Sequence, residues 1–427
     1  MSERAADSAE AVFREEWSRL LATLVRWVGD LDLAEEVAAD AIAVALERWP
    51  VDGVPNNPAA WLLTTARRRA VDLLRRRQTY AAKLAVLKVE AERAESERLA
   101  ASARDPDVIG DDRLQLFFTC CHPALGAEAR VALTLRYLAG LSTAEVARAF
   151  LVPEATMARR LVRAKGKIRE AQIPYRMPSA AELPTRLPAV LSVIYVVFTE
   201  SYAASNGPTL VRPELADEAV RLARILHGLL PSEREVAGLL ALLLLVDARR
   251  AARTDAAGDL VLLEDQDRAR WDRTLIEEGR ALVMDALRGG SPGPYALQAA
   301  IAAVHDDAAT TETTDWPQIV GLYDLLLVTA PSALVELNRA VAVAMADGPL
   351  AGLALIDELS SSGELDRYHP FHAARARLLD RLGHFEAAAA AYRRALDLVG
   401  NEPERAFLAH CLATAEARAR ADAGGIR

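Results

Sequence analysis

The side chains best suited to chemistry in this 427-residue sequence are arginines, which cluster in two short segments. Residues 64–77 contain six arginines against a single acid, Asp72. Residues 113–173 contain 10 basic and 4 acidic residues, a net charge of +6. Because guanidinium groups bind phosphate oxygens and guanine edges, both segments indicate contact with nucleic acid. The formal net charge of −9 hides this distribution, since residues 174–427 alone contribute −10 (25 basic, 35 acidic).

The second segment has the pattern of a helix-turn-helix. Ser142-Thr-Ala-Glu145 is typical of a capping box, in which the serine and glutamate side chains each bind the other residue's backbone amide. Gly140-Leu141 predicts a turn before this short helix, and Pro153 suits the first turn of the next one. That next helix is predicted over Glu154–Arg169, and such a helix fits the major groove of DNA. The alternative is a basic helix face that only contacts solvent.

Helical periodicity divides this predicted second helix into two faces. The apolar positions predicted to face inward are Met157, Leu161, Val162, Ala164 and Ile168. The basic positions that remain for solvent or phosphate are Arg159, Arg160, Arg163, Lys165, Lys167 and Arg169. We therefore expect one basic face of the helix to be available to a duplex.

The elements that must hold these side chains are helices. Apolar residues recur with a spacing near 3.6 throughout, and alternating patterns are nearly absent, so the sequence predicts an all-α fold. The first part is predicted to contain three helices. The first has an apolar face from Phe13 to Val28, the second runs from Leu33 and ends at Trp49-Pro50, and the third includes Trp61. This third helix carries the arginines of residues 64–77 opposite its apolar face.

The C-terminal part is also predicted to be helical and contains one internal repeat. Residues 377–396 have the spacing of a tetratricopeptide (TPR) helix pair, with Gly383 at the turn and Tyr392 on the second helix. Gly348 lies 35 residues before Gly383, close to the TPR period of about 34, which indicates a degenerate second copy. A plain helical hairpin is the alternative.

The sequence gives little support for catalysis or for metal binding. No GxSxG, GxxxxGK or HExxH motif occurs, so we expect no enzyme activity and no cofactor. His369 and His372 have the i,i+3 spacing of metal ligands, but no third ligand lies near them in sequence, so a structural role is expected and no metal site. Three cysteines exclude a disulfide scaffold, and Cys120 and Cys121 are expected to pack in the core.

The distribution of apolar residues predicts a cytoplasmic protein without a membrane segment. The longest apolar runs, residues 187–198 and 236–246, are shorter than the roughly 18–20 residues of a membrane span. The N-terminal residues are charged and lack the apolar core of a signal peptide.

Three parts of the sequence resemble the bacterial extracytoplasmic-function (ECF) RNA polymerase sigma factors. Sigma region 4 is similar to Leu135-Arg-Tyr-Leu-Ala-Gly-Leu-Ser-Thr-Ala-Glu-Val-Ala and the following Val152-Pro-Glu-Ala-Thr-Met-Ala-Arg-Arg-Leu-Val-Arg-Ala. Sigma region 2 is similar to Ala34-Glu-Glu-Val with Trp49, and to Asn57-Pro-Ala-Ala-Trp-Leu with the arginines after it. The long TPR-like helical extension of one ECF subgroup is similar to four stretches: Phe198–Tyr202, Glu264–Arg268 with Trp271, Leu337–Ala342 and Tyr368–His372.

The resemblance implies a division of the chain into five segments. They are sigma region 2 over residues 9–77, a linker over 78–112, the region 4 helix-turn-helix over 113–173, a helical extension over 174–330, and TPR-like repeats over 331–420. Region 2 would bind core polymerase and the −10 promoter element, and region 4 would bind the −35 element.

The resemblance also implies the site residues. Core polymerase would be bound by Glu35, Glu36 and Asp40. The −35 element would be contacted by Glu154, Thr156, Arg159, Arg160, Arg163 and Lys165. The −10 element would be contacted by Asn56, Asn57, Trp61, Arg67, Arg68, Arg69, Arg75 and Arg76. In this set the asparagines would hold a flipped base, the arginines would bind phosphates, and Trp61 would either stack on a base or pack in the core.

The resemblance therefore predicts a sigma factor that directs core RNA polymerase to promoter DNA. Its activity would be modulated by the C-terminal extension, at which a protein or ligand partner would bind. One alternative is a TPR-containing helix-turn-helix regulator that is not a sigma factor. A second is a helical adaptor whose basic helices only contact solvent.

Overall fold

The computed structural model describes residues 16–55, 57–81, 110–150, 152–202, 211–255 and 258–425. The regular secondary structure in these ranges is helical, and an isolated antiparallel bridge joins Thr254 and Leu260. The predicted all-α fold is confirmed. The chain divides into two compact units, residues 1–196 and 197–427. The five segment boundaries given above remain predictions.

Unit one contains the two basic segments. Its helices are α1 (16–28), α2 (Leu31–Asp52), α3 (Pro58–Ala81), α4 (Gly110–Cys120), α5 (Ala127–Leu133), α6 (Thr143–Ala149) and α7 (Glu154–Glu170). The next helix, α8 (Leu183–Tyr202), includes the point at which the two units divide.

Helix α2 begins and ends for local reasons. The Asp30 side chain caps its first turn by accepting a hydrogen bond of 2.8 Å from the Leu33 amide. The sequence predicted an end at Trp49-Pro50, but the helix continues to Asp52. Proline removes one amide donor near the end of the helix, and the last turn persists because the Gly53 amide bonds to the Trp49 carbonyl. Gly53 then leaves the helix at a φ of +84°.

The segment before the turn at Gly140 contains two kinds of helix. Helix α5 ends at Leu133, and Thr134–Leu138 form a π-helical turn in which the Ala139 amide bonds to the Thr134 carbonyl at 3.0 Å. The following Gly140 has a φ of +77°, and a Cβ atom there would lie 3.2 Å from the Trp17 ring. Glycine at this position therefore allows both the turn and its packing against α1.

Unit two contains the rest of α8 and a series of further α-helices. Those within the described residues are α9 (Pro213–Leu229), α10 (Arg234–Asp247), α11 (Arg273–Leu287), α12 (Pro294–Asp307), α13 (Trp316–Thr329), α14 (Ala333–Ala346), α15 (Pro349–Ser360), α16 (His369–Arg381), α17 (Phe385–Leu398) and α18 (Glu402–Gly425).

Helix α10 forms the centre of the first part of unit two. Every residue from Val236 to Leu245 is buried, which explains the apolar run in the sequence. At Gly238 an added Cβ would lie 2.6 Å from the Ala296 amide nitrogen of α12, so the two backbones approach closely. The run is therefore a core helix of unit two.

The segment predicted to be TPR-like forms helical hairpins. Helices α16 and α17 pack together around Gly383, whose φ is +78°, and bury Ala388, Tyr392 and Ala395. Helices α14 and α15 form the preceding pair, in which an added Cβ at Gly352 would lie 2.4 Å from the Ala344 Cβ. These are two adjacent helix pairs with small residues at their contacts, and their assignment as TPR repeats remains a prediction.

Helix α8 is long and apolar enough to cross a membrane by length and composition alone. It is the one such helix among the described residues, and 39% of its apolar window is buried within the protein. Core helices of soluble proteins pass the same test, so this helix is weak evidence for a membrane span.

Candidate nucleic-acid interface

The helix-turn-helix in unit one is fixed by the capping interactions that the sequence predicted. The Glu145 amide donates to the Ser142 hydroxyl at 3.2 Å, and the Ser142 amide donates to the Glu145 carboxylate at 2.7 Å. Helix α6 packs against α7, with Val146 of α6 and Met157 of α7 fully buried. Capping and packing therefore set the orientation of α7.

The outer face of α7 carries most of the predicted −35 residues. Glu154, Arg159 and Arg163 are exposed, whereas Thr156 and Arg160 are half-buried. The guanidinium of Arg160 forms an ion pair with Glu128 at 3.2 Å. The Arg159 side chain lies along the helix and donates to the Ala155 carbonyl. This face presents arginines from successive turns, as phosphate or base contact requires.

The inward prediction for Val162 is wrong, because this side chain is 61% exposed. The buried residues of α7 are Met157, Leu161, Ala164 and Ile168. Their spacings of four, three and four residues describe a single narrow stripe. Val162 is one residue, or about 100°, away from this stripe, so it lies on the outer face beside Arg159 and Arg163.

Lys165 has a different environment from the other −35 candidates. It is only 15% exposed, and its ammonium pairs with Asp32 at 2.5 Å and with Glu35 at 3.0 Å. Both acids belong to the first turns of α2, so this lysine joins α7 to α2. Arg169, one turn further along α7, also approaches Asp32, at 3.4 Å.

The carboxylate of Glu35 has three partners from region 4. Arg136 donates to one oxygen at 2.7 Å, while the Tyr137 hydroxyl and the Lys165 ammonium donate to the other at 2.8 and 3.0 Å. Arg136 also donates to the Leu141 carbonyl and lies over the Trp17 ring. Both Arg136 and Tyr137 belong to the π-helical turn. Glu35, a predicted polymerase-binding residue, thus bonds directly to Lys165, a predicted −35 residue.

Burial and charge act in opposite directions on this pair. Burial opposes ionisation of Glu35, but the positive charges of Arg136 and Lys165 outweigh it and lower the pKa of its carboxyl. Burial also opposes the charge of Lys165, but hydrogen bonds to Asp32 and Glu35 raise the pKa of its ammonium. Both residues are therefore charged at neutral pH.

The other polymerase candidates, Glu36 and Asp40, are exposed on α2. The opposite face of that helix is buried at Ala34, Val37 and Ala41. The three predicted polymerase-binding acids of α2 therefore have two environments. Glu36 and Asp40 lie on the exposed face, whereas Glu35 bonds to Arg136, Tyr137 and Lys165.

The start of α3 contains the asparagine and tryptophan candidates. Asn57 is exposed, and its side-chain oxygen accepts a hydrogen bond of 3.0 Å from the Ala60 amide, so it caps α3. Trp61 is half-buried, and its ring meets Trp49 edge to face, with 5.6 Å between the centroids. Asn56 lies outside the described residues.

The arginines of α3 occupy two environments. Arg68, Arg69 and Arg75 are exposed. Arg67 is half-buried, and burial together with the nearby charge of Arg26 lowers its pKa. The Arg76 side chain lies outside the described part of the chain. The exposed arginines are therefore the ones whose side chains reach the surface of this helix.

The cysteine pair and the two histidines occupy structural positions. Cys120 and Cys121 are buried, and burial raises the pKa of the Cys121 thiol to about 11, which disfavours the reactive thiolate. His369 bonds to Glu404 at 3.0 Å, and His372 contacts the Asp366 carbonyl. The described residues contain no group of three or more potential metal ligands.

The extension-like stretches contribute to the interior of unit two. Arg253 is buried with its guanidinium over the Tyr202 ring. Trp271 is buried against both Arg249 and Arg268, and Arg249 forms a buried ion pair of 2.7 Å with Asp306. These stretches therefore hold loops and helix ends of unit two together.

The sequence indicated most of the exposed face but not the contacts between α2 and region 4. Asp32, Arg136, Tyr137 and Arg169 were not among the predicted site residues. Arg136 and Tyr137 lie within the Leu135-Arg-Tyr stretch, so their positions were indicated, but their partner is about a hundred residues away.

The chain matches three protein-family models. Residues 12–80 match sigma-70 region 2, residues 118–168 match sigma-70 region 4, and residues 186–287 match a family of unknown function, DUF6596. A curated relative, described as an uncharacterized protein of Rhizobium meliloti (strain 1021), is 44% identical over 388 residues, covering 91% of each chain.

Proposed function

We infer the function from a family assignment: the chain belongs to the sigma-70 family, as an ECF-type sigma factor with a C-terminal extension. It is therefore a sigma factor for promoter-directed transcription and interacts with core RNA polymerase and promoter DNA. We propose that residues of α2, α3 and α7 make these contacts, and that unit two modulates the activity. We also propose that the chain acts in the cytoplasm and catalyses no bond-forming step itself.

The proposal for the −35 element rests on the outer face of α7. Arg159 and Arg163 are exposed there, with Glu154 at the start of the helix and Thr156 and Arg160 at its edge. Arginine forks can bind guanine edges, and neighbouring phosphates fix the position of the helix. This exposed basic face of a capped helix-turn-helix is the observation that carries the proposed function. Lys165 would join the contact only after leaving Asp32 and Glu35.

The proposal for the −10 element rests on α3. Arg68, Arg69 and Arg75 are exposed and suited to phosphates, whereas Arg67 is half-buried beside Arg26. Asn57 already caps the helix, so we propose that it also positions the loop in which a flipped base is held. Trp61 packs on Trp49, which supports a structural role and leaves a ring edge for base contact.

The proposal for polymerase binding rests on the acids of α2. Glu36 and Asp40 are exposed on α2, and their carboxylates are suited to basic or polar groups of the polymerase. Glu35 is engaged by region 4, so its contact with polymerase requires the loss of those bonds.

Run-off transcription with purified core polymerase tests the function. The full chain should direct initiation from at least one promoter, and Arg159→Ala/Arg160→Ala should abolish −35-dependent initiation. Arg288→Ala, which changes an exposed arginine of unit two, should leave initiation unchanged. If the full chain never directs core polymerase but binds duplex DNA alone, the protein is a helix-turn-helix regulator instead.

Modulation by the extension is tested in the same assay by comparing the full chain with a chain that ends at residue 202. A change in initiation by the shortened chain that leaves core binding intact supports modulation by unit two. Identical initiation by the full chain and by a chain lacking residues after 202 removes this part of the proposal.

A further inference from the structure

Helix α14 of unit two is packed on two of its sides. On one side, Leu337, Ala340 and Ala344 are buried in the apolar interior that α14 shares with α15. On another side, Ala342 packs with Ile319 of α13. These two contacts account for the position of α14 in unit two, so a further apolar face on this helix needs another explanation.

The third face of α14 is apolar and yet exposed. We call it the α14 stripe: Leu334, Asn338, Val341 and Met345. Leu334 and Val341 are 47% and 37% exposed, Asn338 is exposed and Met345 is half-buried. At 100° per residue, the four positions lie within an arc of about 60°. They therefore form one narrow line of side chains along the surface of the helix.

The spacing within the α14 stripe is that of a coiled-coil seam. Its members are four, three and four residues apart, which gives the average period of about 3.5 residues at which two helices keep contact. Asn338 is a polar position between apolar ones, and one asparagine in such a seam fixes the register of the partner helix. The stripe thus has the geometry on which one further helix packs.

Two arginines of α16 lie beside this stripe. The Arg381 guanidinium donates to the Met345 Sδ atom at 3.4 Å, which places the end of α16 next to the end of the stripe. Arg377 lies one turn earlier on the same face of α16. It forms an ion pair with Glu264, more than a hundred positions away in the chain. This face of α16 therefore already holds one carboxylate.

The acids of α14 and α16 are directed away from the α14 stripe. Glu336 lies about 200° around α14 from Leu334. Asp380 of α16 forms an ion pair with Arg418 of α18. The charge beside the stripe is therefore positive, and the side chains that complement it are carboxylates.

We propose that the α14 stripe and the arginines of α16 form a docking surface for an acidic amphipathic helix of a partner protein. Apolar side chains of the partner helix pack on Leu334, Val341 and Met345, a polar side chain faces Asn338, and carboxylates beside its apolar seam pair with Arg381. This inference deepens the modulation by unit two proposed above and rests on that part of the proposed function.

The surface is tested with two fluorescent peptides of three heptads each. Both carry leucine at the a and d positions, with asparagine at one a position. The acidic peptide has glutamate at all e and g positions, and the basic peptide has lysine there. In fluorescence anisotropy with the full chain, the acidic peptide should bind at least about 10-fold more tightly, because like charges oppose docking of the basic one.

Two substitutions test the two parts of the surface. Val341→Ser removes apolar contact and should weaken binding of the acidic peptide about 10-fold. Arg381→Glu should weaken binding of the acidic peptide about 10-fold and strengthen binding of the basic one. The matched controls are Val328→Ser on α13 and Arg420→Glu on α18, both at exposed positions, which should leave the affinities for both peptides unchanged.

Equal affinity for the two peptides overturns the inference. So do affinities that neither Val341→Ser nor Arg381→Glu changes. A dimer of the full chain that dissociates on Val341→Ser in analytical ultracentrifugation also overturns it, because the occupant is then a second copy of this chain. The binding measurement contains no polymerase. Selective binding of the acidic peptide therefore supports the inference even if run-off transcription shows that the sigma function is wrong.

Discussion

At the scale of single residues, the exposure of Val162 changes which DNA groups the outer face of α7 is expected to contact. An exposed valine between arginines contributes little to a phosphate contact. In the major groove the natural apolar partner is the C5-methyl group of thymine. Because Val162 lies on the same face as Arg159 and Arg163, we predict that the middle of α7 contacts a thymine of the −35 element.

Replacing that −35 thymine with deoxyuridine should weaken wild-type initiation about 3- to 5-fold, since burying one methyl group is worth about 0.8 kcal/mol. Val162→Ala should lower initiation by a similar factor and remove the sensitivity to deoxyuridine. Run-off transcription from templates substituted at each −35 thymine in turn measures both effects.

The matched control is Val328→Ala, an exposed valine of unit two, which should retain full sensitivity to deoxyuridine. Equal sensitivity of the wild type and Val162→Ala at every thymine would show that Val162 faces no methyl group.

Glu35 predicts a pH dependence of stability. A carboxyl with a lowered pKa stabilises the fold above its ordinary value of 4.5, and this contribution is lost as the pH falls through the folded-state pKa. Glu35→Gln should therefore lower the free energy of unfolding at pH 7 and have a smaller effect near pH 3. Urea unfolding at the two pH values measures the difference.

The matched control is Glu47→Gln, an exposed glutamate further along α2 and outside the contacts of Glu35, which should change the free energy of unfolding little at either pH. A destabilisation by Glu35→Gln that is as large at pH 3 as at pH 7 would mean that the charge of Glu35 contributes nothing.

At the scale of elements, two glycines of the helix-turn-helix should respond oppositely to the same substitution. Gly140→Ala should destabilise unit one by about 1–3 kcal/mol, because φ is +77° and the new Cβ meets the Trp17 ring at 3.2 Å. Gly166→Ala, within α7 and with no atom within 4 Å of the new Cβ, should stabilise it by about 0.5–1 kcal/mol. Thermal unfolding of both variants measures these changes. Two changes of the same sign would contradict this assignment of the turn.

Elements specified by nearby residues were predictable from the sequence. The capping box of α6 depends on Ser142 and Glu145, three residues apart, and the turn at Gly383 depends on one glycine. The inner stripe of α7 was predicted correctly except at Val162, which is hydrophobic but lies off the stripe.

Other features depend on contacts that periodicity does not encode. The end of α2 beyond Pro50 required the bond from the Gly53 amide to Trp49. The contact between Glu35 and Lys165 joins residues 130 positions apart, and each was predicted to face an external partner. The charge pattern of one sequence predicts that such residues lie at the surface. It does not show when two of them form an ion pair with each other.

At the scale of the whole molecule, the predicted boundary at residue 173 does not coincide with the end of the first compact unit. The Arg186 guanidinium donates to the Phe118 carbonyl at 2.8 Å, and Leu187 and Val190 are buried. Unit one extends to residue 196, within α8.

A fragment of residues 1–174 should therefore unfold about 5–10 °C below a fragment of residues 1–202. Each buried aliphatic side chain that it lacks is worth about 1.5–3 kcal/mol. Differential scanning calorimetry of the two fragments measures this. Equal midpoints would show that α8 contributes nothing to unit one. Only the longer fragment separates modulation by unit two from a loss of folding in unit one.

The contacts that Asp32 and Glu35 of α2 make with Arg136, Tyr137 and Lys165 also have a consequence for protein engineering. In the proposed function, regions 2 and 4 each contact one promoter element, so each could be expected to work after exchange on its own. In this chain Asp32 and Glu35 form ion pairs with Arg136 and Lys165, so the four residues depend on one another. A chimera that receives region 4 from a relative without these basic residues would retain a half-buried Glu35 without partners. Exchange of promoter specificity in this chain should therefore move the four positions together.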